Sequence, residues 1–218
     1  MMDATTIAAT CRALAKQNVE LKLTIRRLTR LAYVDGLTGL ANRRYLEVAL
    51  DCEIRRAARG TLPLTFMLCD VDHFKRYNDR FGHQCGDAVL RAVGETLCRY
   101  CRRAGDIAAR YGGEEFALLL PGIDFTETIG IAEGLRRSVA GLSIRHAELS
   151  EPGHITISIG ATTFQSPEPC GAAEVIRAAD LALYRAKGAG RNRTKYQATK
   201  FAAARTRHAG QGALNFAS

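Results

Sequence analysis

"DIAARYGGEEFALLLP", Asp106 to Pro121, sets two apolar stretches on either side of a Gly-Gly pair and two glutamates. Two strands joined by so short a break fold back on each other, so the stretch predicts a β-hairpin. Gly112 and Gly113 suit the two central positions of a primed turn, because both take positive φ at no steric cost. Glu114 and Glu115 are then held at the sheet edge. Taken alone, such a pair reads as a solvated turn whose charges face water. Only further carboxylates brought to the same place would give it chemistry.

Around the hairpin, helix-like and strand-like stretches alternate from Tyr33 to about Tyr196. The helical stretches are "NRRYLEVALDCEIRRAAR" (42–59), "GDAVLRAVGETLCRYCRR" (86–103), "TETIGIAEGLRRSVAG" (126–141) and "AAEVIRAADLALYRAKG" (172–188). The remaining strands are "LPLTFMLCDVD" (62–72) and "HITISIGATTF" (154–164). The order strand, helix, hairpin, helix, strand follows the split βαβ pattern. The expected fold is α+β, a ferredoxin-like or palm-type antiparallel sheet flanked by helices. With 218 residues, 47% hydrophobic and 24% charged, the chain has material for one such domain and appendages.

The amino-terminal appendage is a heptad pattern over residues 5–32. Ile7, Leu14, Leu21 and Leu28 lie on one line and Cys11, Asn18, Ile25 and Ala32 on the next, uninterrupted by Pro or Gly. With the leucines at d, Asn18 falls at a, where a buried polar pair favours a parallel, in-register dimer. The plainer alternative is an amphipathic helix packed on its own domain. Arg12, Lys16, Lys22, Arg26, Arg27 and Arg30 supply the solvated face that a coiled coil needs. The expected organisation is a coiled-coil helix over 1–32, a folded domain over 33–196 and a basic, mobile tail over 197–218.

Composition excludes several classes. No apolar run approaches a membrane span and no signal peptide opens the chain, so a cytoplasmic protein is expected. Seven cysteines, at 11, 52, 69, 85, 98, 101 and 170, form no repeated spacing, which argues against a disulfide framework. Cys98 and Cys101 make one CxxC, a weak zinc signal beside the reading of buried free thiols. The formal charge is +9, and after Asp180 eight Lys or Arg follow with no acid. That distribution implies an anionic ligand. Nucleic acid fits the charge as well, but no recognition motif such as a helix-turn-helix accompanies it.

A second acidic cluster gives the hairpin glutamates their partners. The apolar run "LTFMLC" reads as a buried central strand and ends in "DVDHF", which places Asp70 and Asp72 at its carboxyl end. Buried acids need compensation, and a divalent cation with oxygen ligands is the economical solution. If the two strands are neighbours, the acids converge on one site.

The stretches "DGLTGLANRR" (35–44), "DVDHFKRYNDRFGHQCGD" (70–87), "RYGGEEF" (110–116), "ISIG" (157–160) and "ADLALYRAKGAGRNR" (179–193) resemble, in order and spacing, the signature segments of the GGDEF family of diguanylate cyclases. The likeness covers Tyr33 to Arg193. Glu114 stands where the hallmark has aspartate, a change that keeps the carboxylate.

The resemblance implies a set of roles. Asp70, the Val71 carbonyl and Glu114 match magnesium ligands, with two Mg2+ per active site and Mn2+ as an alternative. Glu115 completes the acidic centre. Asn78 and Asp87 match the pair that bonds the guanine edge, His83 a further substrate contact, and Gly113 a position where base and sugar approach the backbone. Lys187 and Arg191 match phosphate-contacting cations, although by themselves they read as a solvated helix end. Backbone N–H groups from His73 to Lys75, at the start of a short helix, are suited to the outer phosphates, and Lys75 adds charge.

The reaction so implied joins two GTP molecules into cyclic di-GMP with loss of pyrophosphate, each GTP held by one subunit of a homodimer. The coiled coil then raises the effective concentration of the second half-site. Arg103 and Asp106 in "RAGD" have the RxxD spacing of the family's inhibitory product site, where the plain reading is a charged turn. The secondary arginine of the following helix is Gly134 here, with Arg136 or Arg137 as substitutes. Asp35 paired with Arg43 or Arg44 would make "DGLTGLANRR" a coupling hinge between coiled coil and domain. An upstream sensor or regulator would act through the first helix. A catalytically silent receptor for cyclic di-GMP is the competing reading.

Overall fold

The apolar run "LTFMLC" extends through Asp70 into a strand, Leu64–Val71, in which all eight residues are buried, because other strands cover both its edges and helices cover both its faces. The computed structural model describes residues 4–60, 62–146, 153–165 and 171–197. In chain order the elements are α1 (Ala4–Tyr33), β1 (Ala41–Asn42), α2 (Arg43–Gly60), β2 (Leu64–Val71), α3 (Phe74–Phe81), α4 (His83–Cys98), β3 (Ile107–Gly112), β4 (Glu115–Pro121), α5 (Phe125–Ala140), β5 (Ile157–Phe164), α6 (Ala172–Gly188) and β6 (Thr194–Tyr196). The proposed tail lies outside the described residues beyond Gln197.

The six strands form one sheet in the order β1-β3-β4-β2-β5-β6. Its four central strands are antiparallel, as the hairpin predicts. The two short edge strands, β1 and β6, pair in parallel with β3 and β5. The sheet is therefore mixed. Strand alternation divides the core. Met67, Cys69 and Val71 of β2 join Phe116, Leu118 and Leu120 of β4 beneath α4 and α5. Phe66 and Leu68 join Ala117 and Leu119 beneath α2 and α6.

The hairpin turn differs from its expected position by one residue. Gly112 pairs with Glu115, so Gly113 and Glu114 are the connecting pair, and a bulge lies between Arg110 and Gly112. Of the two, only Gly113 has positive φ, at 27°. The register follows from β4: its alternate residues must enter opposite cores, and the bulge takes up the residue left over.

Gly160 of the "ISIG" segment has a different task. A Cβ there would collide with the Ala179 carbonyl and the Leu183 amide, so this glycine allows α6 to lie directly on β5. Lys187, one turn beyond Leu183, is thereby brought to the end of the sheet.

Helix α1 leaves Leu14, Leu21, Ile25, Leu28 and Leu31 exposed, which does not fit an amphipathic helix packed on its own domain. The side chains of Ile7, Cys11, Arg12 and Arg26 lie outside the described set. Among the described residues no helix is long and apolar enough to cross a membrane. Among the described cysteines the expectation of buried thiols holds for Cys69, whereas Cys52, Cys85 and Cys98 are exposed and Cys101 is half-buried. Helix α4 stops at Cys98, so Cys101 belongs to the turn that follows it and the two do not share a helix face.

Candidate active site

β2 and β4 bring the two acidic clusters together. Asp70 stands opposite Glu115 in the strand register, and the Val71 amide donates to the Glu114 carbonyl at 3.3 Å. By alternation Asp70 and Glu115 share the α6 face, and Lys187 meets them there, its Nζ 2.6 Å from Asp70 Oδ2. Asp70 is only 8% exposed. Burial pushes its carboxyl up to about 6, helped by Glu114 and Glu115 and opposed by Lys187. A groove of about 560 Å³ opens beside the cluster, lined by Glu115, Asp180, Leu181, Tyr184 and Lys187.

The donor chemistry suits a hard cation. Among the described residues no three His, Cys, Asp or Glu side chains form a ready cage. Asp70, the Val71 carbonyl and Glu114 make a sparse, all-oxygen set, the kind that magnesium takes when it also binds phosphates and water. The raised carboxyl of Asp70 and the ammonium drawn onto it both mark a place where positive charge is favourable.

Asn78 and Asp87, the residues expected at the guanine edge, lie on the next two helices. Asn78 lies within α3, one turn before its end, and its Oδ1 is buried with no hydrogen-bond partner among the described residues. A Cβ at Gly86 would collide with that oxygen, so Gly86 admits the Asn78 amide against α4. Asp87, the next residue, is half-buried, and His83, one turn earlier, is exposed. An orphan acceptor beside a carboxylate is an arrangement that base N–H groups can satisfy. At the open hairpin tip, a Cβ on Gly113 would meet nothing within 4 Å.

The phosphate-binding candidates divide between two segments. His73 precedes α3 with φ 56° and gives it no side-chain cap, so the first-turn N–H groups have no capping side chain from that residue. Lys75 on α3 is exposed. Arg191 follows α6 with φ 60°. Its charge, after burial, holds the His73 imidazole below its ordinary value, which marks the two segments as neighbours.

Two expectations are corrected. Asp35 pairs with Arg110, at 3.4 Å, rather than with Arg43 or Arg44, and accepts from Thr38 N and Oγ1. Arg110 also donates from Nε to the Gly113 carbonyl at 2.9 Å, so the "DGLT" segment is tied directly to the hairpin turn. Arg43 instead pairs with Glu47 and lies over the Tyr111 ring. Arg136 does not substitute for the missing arginine at Gly134, because it is bound to Glu133 and Asn192. Tyr100 occupies the space above Gly134.

The RxxD pair forms a separate place. Asp106 Oδ2 accepts from the amides of Arg102 and Arg103, at 2.9 and 2.8 Å, while its Oδ1 is buried without a partner. Both residues line a cavity of about 410 Å³ with Tyr100, Ile123, Glu127 and Ile131. Arg103 is held at 3.3 Å by Glu127, a residue the sequence reading did not single out. Its signal was present: Asp124 and Glu127 have the spacing of a capping box, and both bonds of that box form.

Comparison with known proteins shows the family and the fold. The family model described as "Diguanylate cyclase, GGDEF domain" matches residues 32–193. The response regulator PleD of Caulobacter vibrioides is 42% identical over 164 residues, 74% of this chain and 35% of PleD. The chain thus spans about a third of that relative's length. Among solved structures, the coiled coil and GGDEF domain of DgcB from Caulobacter crescentus, in complex with c-di-GMP, superposes with a TM-score of 0.76. It is 30% identical and covers 88% of this chain and 99% of that one. The active GGEEF domain of a diguanylate cyclase from Vibrio cholerae, with glutamate at the third hallmark position as here, gives a TM-score of 0.62. Its identity is 30%, over 74% of this chain and 99% of that one.

Proposed function

This chain belongs to the GGDEF family of diguanylate cyclases, and on that premise we propose that it condenses two GTP molecules into cyclic di-GMP as a homodimer. The observation that carries the reading is the convergence of Asp70, Glu115 and the Glu114 turn with Lys187 at one sheet end. Few structural needs would gather three acids and a lysine at the mouth of a buried strand.

Asp70, the Val71 carbonyl and Glu114 are the residues that would hold magnesium, which supplies charge neutralisation for phosphates and for the leaving pyrophosphate. Lys187, which now holds Asp70, would be free to meet phosphate oxygens if a cation took its place there. Arg191 adds a second cation, and the α3 amino terminus adds N–H donors. Asn78 and Asp87 read the guanine edge; adenine would leave the carboxylate without its donors. A carboxylate of the pair Glu114 and Glu115 accepts the proton of the attacking 3′-hydroxyl. The exposed leucines of α1 seat a second copy, so that two half-sites face each other. Product binds at Arg103 and Asp106 and slows synthesis.

Incubation with GTP and magnesium followed by nucleotide chromatography tests the reading. A cyclic di-GMP peak that is lost in Glu114→Ala is the expected result. Binding of cyclic di-GMP with no synthesis under any condition would replace the enzyme with a receptor.

A further inference from the structure

Asp72, two residues beyond Asp70, is 2% exposed and takes no part in the acidic centre. Its Oδ1 accepts from Ser158 Oγ at 2.6 Å, and its Oδ2 from Thr156 Oγ1 at 2.7 Å and from the Asn192 amide at 3.0 Å. Its own amide donates to the Thr156 carbonyl at 2.9 Å. One buried carboxylate therefore ties the end of β2 to the start of β5 and to the turn after α6.

That turn is conformationally costly. Arg191 and Asn192 are consecutive non-glycine residues in the left-handed region, with φ 60° and 44°, a state that persists only when its surroundings hold it. Asp72 holds the turn by its backbone. A second tether acts through the side chain: Asn192 Oδ1 accepts from Arg136 Nη1 at 2.8 Å, and Arg136 is itself fixed by Glu133 at 3.0 Å. Arg191 thereby stands near His73, and its guanidinium has no hydrogen-bond partner among the described residues.

We propose that Asp72 and Arg136 are positioning residues that hold the Arg191 turn ready for the substrate's phosphates. This rests on the reading that Arg191 meets those phosphates. Neither tether touches the nucleotide. Their effect is to settle beforehand the order that the turn would otherwise acquire on binding.

The test compares affinity for 3′-deoxy-GTP, which lacks the attacking hydroxyl, with affinity for 3′-deoxy-GMP, by calorimetry in magnesium. Arg191→Ala and Asp72→Ala are each expected to weaken triphosphate binding about tenfold while monophosphate binding stays within about twofold. Asp72→Asn keeps an acceptor for the Asn192 amide, and the Ser158 hydroxyl can turn to accept, so it restores the ratio to within about threefold. Arg136→Ala gives a smaller loss of the same kind. If Asp72→Ala does not fold, Arg136→Ala and Thr156→Val carry the test, and a lowered ratio in them supports the proposal. Unchanged ratios in the tether variants beside a lowered one in Arg191→Ala would overturn it and leave the role of Arg191 standing. Equal loss for both nucleotides would also overturn it, as general damage. An unchanged ratio in Arg191→Ala would remove the phosphate reading itself.

Discussion

Lys187 Nζ lies 2.6 Å from Asp70 Oδ2, so the cation assigned to phosphate and the carboxylate assigned to metal hold each other. The pair explains how a chain tolerates an acid at the end of a fully buried strand. Burial of the same carboxyl makes the site sensitive to pH.

Asp70 has a carboxyl raised from 3.8 to about 6 by burial and then by its acidic neighbours, with Lys187 opposing. An acid whose pKa is higher in the folded state binds more protons there, so its stabilising contribution is full below about 3.8 and is lost as pH rises through about 6. In chelator, the melting temperature of the protein should fall from pH 4 to 6.5 more steeply than that of Asp70→Asn. Synthesis should be abolished in the variant, and magnesium at pH 7 should raise the melting temperature of the parent alone. Parallel melting curves in chelator would contradict the assignment.

The contact between Asn78 and Gly86 predicts a selective defect. Gly86→Ala displaces the Asn78 amide, and KM for GTP should rise at least about tenfold with kcat changed less. Asp87→Ala should erode the preference for GTP over ATP, which hydrogen-bonded discrimination can carry to ~10⁴-fold. Steady-state kinetics with both nucleotides decides; equal use of ATP by the unaltered protein would dismiss the guanine assignment.

Glu127 occupies Arg103 in the RxxD cavity and places a negative charge where a phosphodiester would lie. Glu127→Gln keeps the helix cap but removes that charge, and cyclic di-GMP should bind about two- to fivefold tighter, a modest gain because the pair is exposed. Arg103→Ala should lose binding at this place. Calorimetry of the three proteins separates the outcomes: identical affinity in all three would remove the cavity from the regulatory account.

Exposed leucines along α1 predict that activity per chain rises with protein concentration. Removing residues 1–32 should steepen the dependence. Asn18→Ile should strengthen association yet relax register and oligomer number, with no gain in activity. Specific activity across a dilution series, read beside light-scattering mass, measures this; constant activity in samples shown to be monomeric would rule out a shared site.

Element types were legible in the sequence because they depend on local periodicity. The mainly apolar runs of β2 and β4 and the helical spacing of α2, α4, α5 and α6 each carry their own signal. The family likeness of Asp70, Glu114, Lys187 and Arg191 was legible for a related reason, since each lies in a short motif at a strand or helix end. Tertiary structure alone decided the relations between distant segments. Asp35 met Arg110 rather than the nearer Arg43 because the hairpin folds back against the α1–α2 connection. The turn moved to Gly113 and Glu114 because two cores claim alternate residues of β4. Asp72 was indistinguishable from Asp70 in "DVD", yet β2 ends at Val71, and beyond that end the hydroxyls of Thr156 and Ser158 made Asp72 a brace and left Asp70 to Lys187. Such assignments depend on which side chains a third segment brings within about 3 Å, and no local pattern encodes that distance.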